Sequence, residues 1–579
     1  MIDIYVRIIM NYTFTTSTRD YSSWNIHDMN EDRLELSSNF DPVKQRLFSG
    51  DILSVIDESC VILSSKIRNM PKLVGVLQLR GNKTYGRTDN GRLLYKCIPY
   101  QKDLPAFLVP YDVKPGFDKS NVNKYVVFRF ANWDQKHPHG LIVETLGCVN
   151  EMTPFYEYQI HCRDLLHSIT RLTHTVHEKL REGSYNDHVA AIQRNEIYQI
   201  IDKTADYVFT IDPEGSVDLD DGLSIITDPS NPNNNIVSVY IANVGIWLEH
   251  LKLWGELSDR VSTIYLPDCK RNMLPSLLSD TWCSLNEKEK SVVFGMDLVF
   301  DQYGNMIRDI KPRFYNAVIR VRKNFRYEEQ KLLNNAQYQQ LAKLSLHMDP
   351  AIHDSHDVVA LWMTKMNIFC AETLFEHKTG LFRTATILDR EVGVSNRPQD
   401  LSPETARALS MWNNVSGSYQ LYGENADLKH AMMDNRKYVQ ITSPIRRLVD
   451  VINQLMFFVV VQNMQLSEDA RIFLDKWTAN IGKLNVYMKS IRKLQSDCEM
   501  VHMCATNPDI DHNTYAGIVF DRQAGKCGDF IYMVYLEDLR KIVRVKTTCE
   551  LQEYSKHRFQ LFLFETEDNC RRKVRIGLV

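Results

Sequence analysis

The sequence predicts a multidomain α/β plus all-β protein, with small β-barrels at both ends of a mixed α/β centre. Three observations predict it. The chain has 579 residues, more than one hydrophobic core organises. Short β-type runs broken by turn residues fill the stretch from Phe48 to Val143 and return from Tyr515 to Phe564. Between them, 3.6-residue apolar periodicities are mixed with strand patterns.

The bulk numbers exclude several classes. Apolar content of 44% and charged content of 24% are those of a soluble globular protein. A net charge of −3 carries no overall basic signature, so nucleic-acid binding would have to come from local patches. The 12 cysteines are scattered singly with no Cys-x-x-Cys pair, which argues against structural zinc and for a reducing compartment. Charge interrupts the N-terminal segment too early for a signal peptide, and no apolar run approaches the length of a membrane span. The expectation is a soluble intracellular protein, cytoplasmic or nuclear, not secreted and with no membrane partner.

In chain order, residues 1–35 are polar and read as a flexible leader. Asp51–Ile56 and Leu73–Leu77 suit a first small barrel over 36–90. Tyr95, Ala106–Pro110, Tyr125–Phe130 and Leu141–Val143 suit a second over 91–165. Aromatic residues alternating with Arg129 can stack on single-stranded bases, although packing in barrel cores accounts for most of them. Helical stretches between 155 and 203 lead to a strand at 207–209, and another strand covers 237–242. Helices follow at 246–258, 355–377, 402–414, 443–463 and 467–500. The last 65 residues or so return to β, a barrel candidate over 511–579.

The centre of gravity is Thr210–Gly222. Asp212, Glu214, Asp218, Asp220 and Asp221 fall within ten residues, just after the apolar run Tyr207–Phe209. Asp212-Pro213 and Gly215-Ser216 make this a strand running into a tight loop. Carboxylates that close repel unless a cation or proton neutralises them. Mg²⁺ takes oxygen ligands from a few carboxylates and leaves its other positions to water and phosphate, which suits phosphodiester hydrolysis. The spacing does not match an EF-hand. A solvated acidic turn fits the same residues.

Two further constellations stand out. Thr263–Pro267, Met273–Pro275 and Cys283–Leu285 read as a rigid proline-bracketed loop, on which Tyr265 either packs or stacks on a base. Ile441–Arg447 reads as a helix start, with Thr442 or Ser443 as cap and Pro444 at the first helical position. Arg446 and Arg447 in that first turn oppose the helix dipole, a conflict that a bound phosphate would resolve.

Together these residues resemble the ribonuclease II / RNase R superfamily, whose catalytic module is called RNB, over roughly residues 40–579. The marks are Thr210–Pro213 with Asp218–Asp221, Tyr265–Pro267 with Met273–Pro275, Cys283–Leu285, and Thr442–Arg447. Phe130, Trp133, Pro138, Gly140 and Leu146-Gly147 are similar to the second cold-shock domain of the eukaryotic exosome-type members, here with no room for their N-terminal PIN domain.

The resemblance implies two OB-fold cold-shock domains (36–90 and 91–165), an RNB catalytic domain (166–510) and a C-terminal OB-fold RNA-binding domain (511–579). It implies a processive 3′→5′ exoribonuclease that releases nucleoside 5′-monophosphates from single-stranded RNA with Mg²⁺ or Mn²⁺ by a two-ion mechanism. An exosome-like or RNA-processing complex is an implied partner. By position, Asp212, Asp218, Asp220 and Asp221 match the metal centre, and Asp220 matches the aspartate most critical for cleavage. Tyr265 matches a clamp on the terminal base, Arg446 the arginine on the scissile phosphate, and Tyr327 a further tyrosine near the RNA end. Arg447 joins the expected RNA contacts.

The chain departs from the pattern at Ala360-Leu361, where the family has a Glu-Glu pair. It departs again at Asn243, Leu448, Gln454 and Gln495, in place of Asp, Tyr, His and Glu. These losses motivate a rival reading, a catalytically weakened RNB-like protein that binds RNA. A metal phosphoesterase acting on DNA or small nucleotides is a second rival.

Overall fold

The computed structural model describes residues 11–579 apart from 29, 31, 35–39, 57–58, 113–120, 166, 308, 386–400, 413–416, 425, 431–432, 434–435, 508, 525–527 and 567–569. The chain divides into two compact units. One comprises Met1–Leu166, Ser496–Thr514 and Phe559–Val579, and the other His167–Gln495 with Tyr515–Arg558.

The second unit is built on a closed five-stranded barrel: Ile200–Asp212, Asp221–Thr227, Asn235–Ala242, Lys290–Phe300 and Arg313–Arg326. Each strand pairs antiparallel with the next, and the last closes on the first in parallel, with Asp212 opposite Arg326. Closure leaves no strand edge unpaired. These strands are rich in β-branched and aromatic residues, and Val208, Phe209, Leu223, Val239, Ile241, Phe294 and Ile319 are buried. Gly295 lies against the Tyr315 ring, where a Cβ would come within 2.4 Å of it, so the strand needs glycine there. Asp212 ends the first strand and Asp221 begins the second. The acidic loop is therefore the connection between neighbouring staves at one end of the barrel.

Helices Ser355–Glu376 and Leu448–Val460 belong to the same unit. The first corrects the expectation that no apolar run reaches membrane-spanning length. Among the described residues it alone is long and apolar enough, with mean hydropathy 1.3 over 18 residues. Half of that window is buried inside the unit, where Val358, Trp362, Met366 and Leu374 are covered. A core helix satisfies the same composition test as a membrane span. Strands Thr514–Ala524, Phe530–Leu536 and Lys541–Thr547 form an antiparallel meander.

The first unit holds a four-stranded sheet and a second closed barrel. The sheet runs in the order Trp24–His27, Tyr12–Thr16, Ile52–Ile56, Ser59–Ser64. Its first two strands lie inside the segment expected to be a flexible leader, which is thereby corrected. Phe14 and Ile26 alternate with polar neighbours and are fully buried, enough to hold the segment in place. The barrel comprises Leu73–Leu77, Leu94–Pro99, Phe107–Pro110, Lys124–Asn132 and His139–Cys148, and so runs across the boundary expected at residue 90. Trp133 stacks obliquely on Phe48 at 4.7 Å, and Phe128 sits 5.1 Å from Phe107, so these aromatics are core. Strands Lys556–Glu565 and Arg572–Leu578 form a hairpin.

Candidate active site

The acidic loop is fixed from below by Ser284. Its hydroxyl donates to the Val217 carbonyl at 2.8 Å and accepts from the Leu219 amide at 3.0 Å. The Leu285 amide donates to the Leu219 carbonyl at 3.0 Å. A loop of like charges would otherwise splay, and these bonds hold its backbone while the carboxylates converge.

Asp220 is 2% exposed. Its Oδ1 accepts from the Ile445 amide at 2.9 Å, while Oδ2 lies 3.2 Å from Arg446 Nε without a hydrogen bond. The buried Oδ2 of Asp212 is also without a hydrogen-bond partner. Burial pushes the Asp220 carboxyl up to about 7 against the pull of Arg446, and burial raises Asp212 to about 6. Asp221 is raised by burial and by Asp212 and Asp220 beside it. Buried carboxylate oxygens without a hydrogen bond are costly unless a proton, a cation or water satisfies them.

Asp218 differs. Its Oδ1 takes Lys270 Nζ at 2.9 Å and its Oδ2 takes the Tyr265 hydroxyl at 3.0 Å. Among the described residues no group of three His, Cys, Asp or Glu side chains forms a ready cage for a metal ion. Asp212, Asp220 and Asp221 carry oxygen donors of the chemical type that hard cations take.

The segment expected to be an irregular loop is instead a small hairpin, with Ile264 opposite Arg271 and Tyr265 opposite Lys270. Pro267 lies in its turn and Pro275 beyond its second strand, so neither costs a ladder bond. Directly opposed residues share a face, which is why Tyr265 and Lys270 reach the same carboxylate. Tyr265 remains 40% exposed.

The helix expected to open at Ser443-Pro444 begins instead at Leu448, with Arg447 as N-cap and no side-chain cap bond. The preceding amides are used elsewhere. Ser443 N–H donates to Asp450 Oδ1 at 2.7 Å and Ile445 N–H to Asp220, and Thr263 N–H donates to the Arg446 carbonyl at 3.0 Å. Both arginines therefore precede the helix and the dipole conflict does not arise. Arg446 is exposed and faces Asp220; Arg447 is half-buried and paired with Asp450 at 2.7 Å. Tyr327 lies beside Asp221 and Asp212, whose charges raise its hydroxyl further after burial. Its ring stacks on His356 at 3.6 Å, a partner sequence reasoning missed.

The departures have structural employment. Asn243 caps the helix Val244–His250 and donates to Asn316 at 3.0 Å. Gln454 donates to the Ala242 carbonyl at 3.0 Å, and Leu448 is core. Ala360 is exposed and Leu361 half-buried, so no carboxylate stands at either position.

Comparison with known proteins gives this arrangement its kinship. The RNB domain model matches residues 201–353, the barrel with its acidic loop, hairpin and Tyr327. Ribonuclease R of Aquifex aeolicus is 35% identical over 140 residues, 24% of this chain and 19% of that protein. Residues 201–353 thus match the catalytic module of the ribonuclease II / RNase R superfamily, and the chain spans about a fifth of the length of this curated relative. The chain also superposes on the structure of Mycoplasma genitalium RNase R in complex with ribose-methylated single-stranded RNA, with TM-score 0.63 and 15% identity over 98% of this chain and all of that one. It superposes as well on yeast Ssd1, a pseudonuclease, with TM-score 0.57 and 12% identity over 95% of this chain and 80% of that one. Both share its fold.

Proposed function

We propose that the protein is a 3′→5′ exoribonuclease that hydrolyses single-stranded RNA to nucleoside 5′-monophosphates. The observation that carries this reading is the pair of buried, unpartnered carboxylate oxygens of Asp212 and Asp220 beside the exposed guanidinium of Arg446. Asp212, Asp220 and Asp221 would hold Mg²⁺ or Mn²⁺. When bound, such an ion lowers the pKa of its water and offsets charge on the phosphate. Arg446 offers a planar fork to two phosphate oxygens. Tyr265, its hydroxyl tethered to Asp218, presents an exposed ring on which a terminal base can stack. The kinship to ribonuclease R supports the assignment, as does the RNA-bound title of one structural neighbour.

End-labelled single-stranded RNA incubated with the pure protein and Mg²⁺ should yield labelled mononucleotide. Yield that survives Asp220→Asn would refute the assigned chemistry, and equal turnover of DNA would favour a general phosphoesterase.

A second reading, an RNA-binding protein with weakened hydrolysis, is favoured by Ala360-Leu361, where no carboxylate is offered, and by the likeness to a pseudonuclease fold. Tight RNA binding with no Mg²⁺-dependent product would establish it.

A further inference from the structure

We propose that His188 and His250 form a proton-operated latch between helices Tyr185–Arg194 and Val244–His250, closed while the pair carries at most one added proton and released by the second.

The two imidazoles meet nitrogen to nitrogen, His188 Nδ1 lying 3.0 Å from His250 Nε2 with the rings at 85°. One of these nitrogens donates and the other accepts, in either tautomeric arrangement. A first added proton is tolerated, because a protonated ring can donate to its neutral neighbour. A second sets two N–H groups and two positive charges against each other, and the bond is lost. The surroundings do not compensate. His188 Nε2 is shut off from solvent and has no hydrogen-bond partner. Trp282 lies 5.2 Å from the His188 ring and Trp247 6.3 Å from that of His250. His188 falls in the first turn of its helix, after the Ser184 cap, where the positive helix end disfavours a cation. The charged groups facing the pair are Lys179, Glu182, Asp187 and Lys252. Two of them are cations. Glu182 is paired with Lys179 at 3.1 Å and Asp187 accepts from Ser184 in the helix cap, so both carboxylates are already engaged.

The packing decides which helix moves. Val244–His250 is seated through Gly245 on Phe458, where a Cβ would come within 3.1 Å of that ring. Tyr185–Arg194 lies on the barrel strands Ile200–Asp212 and Lys290–Phe300 and buries only Val189 and Ile192. It is the lightly held partner, so loss of the latch loosens it. Burial and the neighbouring His188 hold His250 below the usual imidazole value of 6.5. The closed pair therefore takes up fewer protons than the open one. Closure is complete above about pH 6.5 and is lost as pH falls below it. Asp220 acts with the opposite sign, because its raised value favours the folded state on acidification.

Hydrogen exchange on the full chain at about pH 7.5 and about pH 5 tests this, with rates expressed as protection relative to unstructured peptide. Protection over Tyr185–Arg194 should fall by up to about thirtyfold at the lower pH, the factor by which one imidazole of ordinary pKa favours the open state there. Helix Glu468–Ala479, which contains no histidine, should stay level. His188→Asn offers His250 Nε2 either a donor or an acceptor, so that variant should keep its protection at about pH 5. His250→Gln should do the same. No fall over Tyr185–Arg194 in the wild type would overturn the latch, as would an equal fall in both helices or a fall in His188→Asn as large as in the wild type. The comparison of the two wild-type helices decides even if neither variant folds.

Discussion

Asp220→Asn should make the metal-free protein more stable at neutral pH while abolishing the activity proposed for it. The Asp220 carboxyl has its pKa raised from 3.8 to about 7, burial being the largest cause. Because the folded value lies above the unfolded one, the native state keeps a proton that the unfolded chain has already released. That contribution to stability is complete below about pH 4 and is lost as pH rises through about 7. A shift of this size corresponds to roughly 4 kcal/mol. Asparagine keeps the shape and can still accept from the Ile445 amide, but it never ionises. Arg446, 45% exposed, loses little when its partner goes. In EDTA, thermal unfolding of wild type and Asp220→Asn should coincide near pH 4 and diverge toward pH 8, the variant melting higher. Saturating Mn²⁺ should narrow the gap by stabilising the wild type alone. A variant that melts lower than wild type at pH 8 in EDTA, or a gap that does not change with pH, would refute the account of Asp220 as a carboxyl whose ionisation burial opposes.

Tyr265→Ala should weaken binding of a single-stranded RNA 3′ end by about 1–3 kcal/mol, whereas Tyr265→Phe keeps the ring and most of the affinity; fluorescence anisotropy separates the two. Ser284→Ala strands the buried Leu219 amide and should cost about 1–3 kcal/mol in urea unfolding, with weaker Mn²⁺ binding as the acidic loop relaxes. Asp450→Asn removes a fully buried charge that receives both Ser443 N–H and Arg447, and should destabilise by about 3 kcal/mol in the same assay.

Much of the site was legible because its chemistry is local in sequence. Asp212 to Asp221 crowd one loop, and only a cation, a proton or splaying can accommodate them. Tyr265, Arg446 and Tyr327 were legible through resemblance. Lys270 and His356 were not, since neither carries a pattern that distinguishes it from a solvated residue. Lys270 becomes meaningful only when Tyr265-Leu266 and Lys270-Arg271 pair as a hairpin, and His356 only when it meets Tyr327. Ser284 sat in a segment already singled out, but its two bonds to the acidic loop needed tertiary contact. The helix starts later than Ser443 because the Ser443 amide is taken by Asp450 of the first helical turn and the Ile445 amide by the distant Asp220.

By itself the sequence determined the alternation of β-rich ends and mixed centre, the acidic loop after an apolar strand, and the likeness to a nuclease family. Those features follow from composition and short-range periodicity, which act within a few residues. Only the tertiary structure decided that the strand and its return close a barrel, that both oxygens of Asp218 are bonded while Asp212 and Asp220 each keep a buried oxygen without a hydrogen bond, and that Arg446 faces Asp220. Those outcomes depend on which distant groups share one desolvated space, where a carboxylate's state is set by its neighbours and not by its own position in the chain.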